Sequence, residues 1–409
     1  MPDKKSYWSG VVSGLLIAAF LVCGAFTATK IYTWIQHDKV KEGTKEAVSA
    51  SVTEQFLDDN TLEKMQLIQE TIETYYLDEV DEETLEDGAY EGMLASLGDP
   101  YSEYLSIADL TSLMEQTEGV YYGIGAYIGK EKTADYAYVS DIIPGTPAEE
   151  SDLMSGDIIY AVDGVSVYQY ETADIVKLIK GEEGTTVVIT VYREGSGEYL
   201  DIAVERRKVE TPTVEYKMLT ETMAYIQITE FDDVTVDQFA EALAVSKESG
   251  MQELILDLRG NPGGSLTVVT DIARMLLPEG LIVYTEDKYG EKTEYYCDGA
   301  REIKIPLVVL IDGASASASE ILAGAIKDYG KGTLVGTTTY GKGIVQRVIS
   351  ISDGTALKLT ISNYYTPNGN NIHKVGIEPD EVVEFDAALY VESGTDNQLE
   401  RAKEILMGQ

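Results

Sequence analysis

The sequence predicts a multidomain α/β chain with an N-terminal transmembrane helix, a helical segment, a small strand-rich domain and a larger α/β domain. Three observations carry that expectation. Trp8 to Thr29 runs 22 residues without a charge. Near Gly119, apolar residues at three- and four-residue intervals give way to short β-branched segments broken by glycine. After Arg206-Arg207-Lys208, longer strand-like and helix-like stretches alternate.

The uncharged run is long enough to cross a bilayer core as a helix. Lys4 and Lys5 precede it, and positive residues stay on the cytoplasmic side, so nearly everything after His37 is expected outside. A cleaved signal peptide fits less well: the span exceeds a usual h-region, and "GAFTA" lacks a clear A-x-A. Residues 1–39 therefore read as a short cytoplasmic end and a single-pass anchor in the cell membrane, with the remainder extracytoplasmic. Cys23 falls in the span and Cys297 in the outer portion, so no disulfide framework is implied. The chain carries 71 acidic and 31 basic residues, a net charge of -40 that repels phosphate backbones and excludes nucleic acid as a natural partner.

Residues 40–109 are acidic and helical in pattern, with "TLEKMQLIQETIETYYL" and "TLEDGAYEGMLASLGDPYSEYL" showing faces that would pack on a neighbour or dimerise. Gly98-Asp99-Pro100 closes the second helix. Residues 110–208 hold five or six short strands and one or two small helices. Residues 209–390 alternate "MAYIQITEF", "TVDQFAEALAVSKESG", "ELILDLRG", "LTVVTDIARMLL", "LIVYTED", "PLVVLIDG", "SASEILAGAIKDYG" and "TLVGTTTY", the pattern of helices layered on a sheet. Residues 391–409 contain "DNQLERAKEILMG", a short amphipathic helix.

Two stretches carry chemistry. "GTTTYGKGIVQ" begins like a phosphate loop, but Gly343 replaces the magnesium-binding hydroxyl, and the strand-like "IVQRVISIS" follows where a helix is needed. Lys342 thus needs another role. "DGASASASE" follows the apolar strand "PLVVLI" and opens a helix, a favourable position for a nucleophile. It equally suits a capping box, since Ser317 and Glu320 fit S-x-x-E. Only His37 and His373 could serve a Ser-His-Asp arrangement, and no G-x-S-x-G elbow occurs. A buried lysine can be the base instead. Lowering its pKa from ~10.4 to ~7.5 takes roughly 4 kcal/mol of differential destabilisation of the ammonium. If Lys342 lies on a strand, Gln346, four residues on, shares its face and could orient the amine.

"PGTPAEESDLMSGDIIYAVDGVSV" resembles PDZ domains of the bacterial protease-associated type. The resemblance implies that Tyr122, Gly123, Ile124 and Gly125 present backbone N–H groups to a peptide carboxylate while the peptide adds as a strand. "LILDLRGNPGGSL", "IDGASASASEILAGAIKDYG", "VGTTTYGKGIVQ" and "YYTPNGNNIHKVGIEPD", in this order after such a domain, resemble the carboxyl-terminal processing proteases of serine peptidase family S41. That resemblance, over roughly Glu91 to Asp386, implies Ser317 as nucleophile, Lys342 as general base 25 residues later and Gln346 as its support. It also implies an oxyanion hole of the Ala318 N–H with that of Gly263 or Gly264. The implied protein is a membrane-anchored endopeptidase acting on polypeptides with exposed C-termini, without metal or cofactor, and dimeric. The rival is a catalytically silent PDZ scaffold that gathers exported proteins.

Overall fold

The computed structural model describes residues 58–195 and 197–408. The uncharged run Trp8–Thr29 and Cys23 lie outside them; among the described residues no helix is long and apolar enough to cross a membrane. The described residues divide into two units at the boundary between Gly88 and Ala89. In the first, the helix Asp59–Tyr75 is capped by Asp58, whose carboxylate accepts the Thr61 N–H at 2.8 Å, and buries none of its residues.

The second unit is organised by a six-stranded sheet, in the order Val214–Met218, Met223–Ile228, Glu253–Asp257, Leu307–Ile311, Thr333–Gly336, Glu381–Val382. The first pair is antiparallel and the rest are parallel. A parallel sheet is covered on both faces, so its strands are apolar throughout rather than alternating. Every residue of Leu307–Ile311 is buried. Alternate side chains divide between two cores. Ile226, Leu254, Leu256, Val309 and Ile311 pack with the helices Thr235–Glu248, Leu266–Leu276 and Ala318–Asp328. Tyr225, Ile255, Val308 and Leu310 face the C-terminal helix Asn397–Leu406 through Ala402 and Leu399.

A second, five-stranded antiparallel sheet was not legible in the alternation. It runs Glu103–Leu105, Ala356–Tyr365, Gly280–Asp287, Lys292–Cys297, with Ile344–Ser350 also on Ala356–Tyr365. The strand Glu103–Leu105 comes from the stretch read as wholly helical, and it carries the Gly98-Asp99-Pro100 turn to the larger domain. Short strands and two small helices between residues 120 and 210 surround a third core, in which Val187, Ile189 and Val191 alternate inward from Thr186–Arg193. Eight strands form here, more than the five or six expected.

Candidate active site

The strand Leu307–Ile311 ends in a tight turn before the helix Ala318–Asp328. Asp312 Oδ1 accepts the N–H groups of Ala314 and Ser315, each at 3.0 Å, and Ser315 Oγ donates to the Leu258 carbonyl at 2.8 Å. Ser319 Oγ donates to the Asn261 carbonyl at 3.1 Å. Both flanking serines are fully buried and spent on backbone carbonyls. Ser317, between them, has φ 54° and ψ -111°, a region that L-residues rarely adopt. Such a conformation costs about 1–3 kcal/mol and persists only where the surroundings impose it. It places Ser317 at the helix N-terminus in a cleft of 500 Å³.

Glu320 imposes much of this geometry. Its carboxylate is completely buried, and Oε2 accepts the N–H groups of Ser317 and Lys342 at 2.8 Å each. Oε1 accepts the Gly341 N–H at 2.7 Å and the Thr339 hydroxyl at 2.6 Å. The expected capping box is therefore present. Its carboxylate half makes the bonds just given, while the Glu320 N–H also donates to the Ser317 carbonyl at 2.9 Å. S-x-x-E signalled a cap; nothing in it signalled that the same carboxylate would reach the loop of Lys342.

Lys342, Gln346 and Ser317 line the same cleft. Lys342 is not on a strand, contrary to the expectation, but in the loop before Ile344–Ser350, and the register of that strand slips between Val345 and Gln346. The four-residue rule therefore does not apply. Gln346 Nε2 donates to Thr360 Oγ1 at 3.1 Å rather than to the amine. Lys342 Nζ makes no hydrogen bond to Ser317 among the described residues; it lies 4.6 Å from the centroid of the Tyr101 ring. Burial pushes the Lys342 pKa down, assisted by the Lys358 charge and opposed by Asp99 and Glu320. Tyr101 carried no signal in the sequence.

Across the cleft, Gly263 and Gly264 differ in what they can offer. The Gly263 N–H donates to Asn261 Oδ1 at 2.8 Å, whereas the Gly264 N–H has no acceptor among the described residues. Gly263 is glycine for a steric reason: at φ 112° an added Cβ would meet Ser317 Cβ at 2.8 Å and the Ala316 carbonyl at 2.9 Å. The Ala318 N–H, at the start of the helix, also has no intrahelical acceptor.

A second cleft, of 240 Å³, lies between the edge strand Ala126–Gly129 and the helix Thr172–Ile179. Gly123, Ile124 and Gly125 line it. The Ile124 and Gly125 carbonyls accept from the N–H groups of Ala148 (2.8 Å) and Ile143 (2.9 Å), and their own N–H groups have no acceptor among the described residues. Tyr122 is absent from the lining because side chains alternate along Val120–Gly123, so Tyr121 faces the cleft instead. Lys180, also unforeseen, joins Tyr121 there and pairs with Glu115 at 2.7 Å.

Ser317 and Lys342 thus share one cleft at the edge of an α/β core, and a second cleft lies along the open edge of the smaller domain. The chain belongs to peptidase family S41 and is a C-terminal processing serine endopeptidase with a PDZ domain. The model of peptidase family S41 matches residues 222–383, that of the PDZ domain residues 138–193, and that of the activating protease CtpB N-terminal domain residues 21–108. The chain is 32% identical over 369 residues to the carboxy-terminal processing protease CtpB of Bacillus subtilis, covering 89% of this chain and 76% of that protein. It is 35% identical over 326 residues to the carboxyl-terminal-processing protease of Synechocystis sp., covering 78% and 76%. A solved structure of the photosystem II D1 C-terminal processing protease aligns at TM-score 0.47 and 28% identity, over 79% of this chain and 92% of that one. Membership in this family sets the silent-scaffold alternative aside.

Proposed function

We propose that Ser317 is the nucleophile, Lys342 its general base and Gln346 a support for that base, in a membrane-anchored, extracytoplasmic endopeptidase that engages polypeptide C-termini through its PDZ domain. The observation that carries the reading is the Glu320 carboxylate, which fastens the Ser317 turn and the Lys342 loop to one acceptor. The Ser317 turn follows Leu307–Ile311 of the parallel sheet, the Lys342 loop leads from that sheet into Ile344–Ser350 of the second, and a shared buried anion gives them a common position. The neutral amine favoured by burial takes the Ser317 Oγ proton as Oγ attacks the scissile carbonyl. The developing oxyanion is held by the N–H groups of Ala318 and Gly264, each such donor being worth about 3 kcal/mol. The ammonium then protonates the leaving amine, and water enters by the same route to release the acyl group.

Because Lys342 Nζ is seated over the Tyr101 ring and makes no hydrogen bond to Ser317 among the described residues, transfer of the Oγ proton needs the amine to move from that seat. At the PDZ cleft, the free N–H groups of Ile124 and Gly125 suit a terminal carboxylate, and the open edge of Ala126–Gly129 suits an added strand. The anchor rests on the uncharged run Trp8–Thr29 behind Lys4 and Lys5. A homodimer is supported by apolar side chains left exposed on the helix Asp59–Tyr75, among them Leu62, Met65 and Ile68.

Ser317→Ala should abolish peptide cleavage with fold and peptide binding retained. Lys342→Arg should be nearly as inactive as Lys342→Ala, because arginine keeps the charge but cannot give up a proton. Substantial cleavage by Lys342→Arg would refute the role of Lys342 as base.

A further inference from the structure

The turn Gly98–Ser102 reaches Lys342 from a part of the chain far in sequence from either proposed catalytic segment. Its Tyr101 ring carries the Lys342 ammonium on its face, 4.6 Å from the centroid. Tyr101 is held at backbone and side chain: its backbone N–H donates to Asp99 Oδ1 at 3.1 Å, and its hydroxyl donates to the Tyr340 hydroxyl at 3.3 Å. Asp99 Oδ2 accepts the Ser102 hydroxyl at 2.6 Å, and Ser102 Oγ accepts the Thr360 N–H at 3.0 Å. Thr360 Oγ1 is in turn the acceptor for Gln346. One turn thus seats the base directly and reaches its support through Thr360.

We propose that Tyr101 is a positioning residue of the peptidase reaction: its ring seats the Lys342 ammonium in the free enzyme and so sets the pH above which the amine becomes available to Ser317. The inference rests on the reading of Lys342 as general base. An aromatic face attracts the ammonium and has little hold on the neutral amine, so the seat favours the protonated lysine. Tyr101 is itself a neutral phenol at any working pH, its pKa pushed up to about 12 by the hydrogen bond with Tyr340 and by burial. The other charged groups facing the ammonium come from three elements. Lys358, on Ala356–Tyr365, disfavours it; Asp99, in the same turn, and Glu320, on Ala318–Asp328, favour it. His373 acts on Asp99. With burial pressing the amine towards neutrality, the ring is the counterweight, and release of the lysine from it couples deprotonation to movement towards Ser317.

The test is the pH dependence of peptide cleavage by the full chain and by Tyr101→Leu, Tyr101→Phe and Lys342→Arg. The acid limb of kcat/KM reports the free enzyme and that of kcat the substrate complex. Tyr101→Leu should lower the kcat/KM limb by about 0.5–1.5 pH units, raising kcat/KM on that limb about 3- to 30-fold. Its kcat limb should stay in place, because the lysine has left the ring by then. Tyr101→Phe keeps the ring and should superimpose on the wild type. If Tyr101→Leu does not fold, 3,4,5-trifluorophenylalanine in place of Tyr101 keeps the shape but depletes the ring face, and should lower the limb relative to Tyr101→Phe. A kcat/KM limb that is unmoved by loss of the ring face, or equally moved by Tyr101→Phe, overturns the proposal while an inactive Lys342→Arg leaves the base assignment standing. An active Lys342→Arg overturns both.

Discussion

Replacing Glu320 by glutamine changes one atom and should disable the enzyme. Oε1 accepts from Thr339 and Gly341, and Oε2 accepts from the backbone N–H groups of Ser317 and Lys342 and, at 3.5 Å, from the Tyr364 hydroxyl. A carboxamide must turn its NH2 towards one of these pairs. Facing Oε2's partners, it would oppose two backbone N–H groups. Facing Oε1's partners, it opposes the Gly341 N–H and requires the Thr339 hydroxyl to reverse, although that oxygen already accepts the Ile377 N–H at 2.7 Å. The second choice is the less costly, and at least one buried N–H loses its acceptor. That loss costs about 1–3 kcal/mol, and the remaining bonds are no longer charge-assisted. Glu320→Gln should therefore be less stable by about 2–4 kcal/mol, measured by urea unfolding. Cleavage should fall on the order of 100-fold at a temperature where the variant remains folded, because an ångström of misplacement between nucleophile and base is enough for that. Stability within about 0.5 kcal/mol of the wild type together with activity within about twofold would refute the idea that this carboxylate holds the two segments in register.

Two further outcomes follow from groups outside that centre. Asp232, 6% exposed at the edge of the catalytic cleft, has its pKa pushed up from 3.8 to about 7 by burial and the neighbouring Glu230. Well below pH 3.8 folded and unfolded states both hold the proton; as pH rises through 3.8 towards 7 only the folded state keeps it, so this group's contribution to stability falls. Asp232→Asn should accordingly gain on the order of 2 kcal/mol relative to the wild type between pH 5 and pH 8 in urea unfolding, and a constant difference would contradict the assigned burial. At the PDZ cleft, amidating the C-terminus of a peptide removes a charged acceptor from the Ile124 and Gly125 N–H groups. Its affinity for the full-length Ser317→Ala protein should drop about tenfold or more by fluorescence anisotropy, and equal affinity would mean that the loop does not read a free carboxylate.

What the sequence disclosed and what it hid divide along local and non-local lines. The apolar run Leu307–Ile311, the polar turn after it and the helix beyond were readable because each is set by neighbours in the chain. The strand Ala356–Tyr365 was not, since its lysine, threonine, serine and asparagine are half-buried and produce no clean alternation, yet it organises the second sheet. The period-two reading of Gln346 failed because Lys342 lies in the loop before Ile344–Ser350 and not on that strand; the register slip opposite Val345 and Gln346 puts its extra residue, Ile361, in the partner strand. Tyr101 and Tyr340 meet across 239 residues of sequence, brought together by the pairing of Glu103–Leu105 with Ala356–Lys358, and no local pattern encodes that. Gly263 and Gly264 were equivalent as letters and became distinct only when Asn261 was found to occupy the N–H of the first.

The most direct test of the proposed chemistry is the site at which a fluorophosphonate attaches to the folded protein, read by peptide mass mapping. Three serines within five residues, Ser315, Ser317 and Ser319, make the result discriminating. The label should fall on Ser317 alone, with Lys342→Ala greatly slowing its attachment. A label on Ser315 or Ser319, or labelling of Ser317 at an undiminished rate in Lys342→Ala, would contradict the assignment of nucleophile and base.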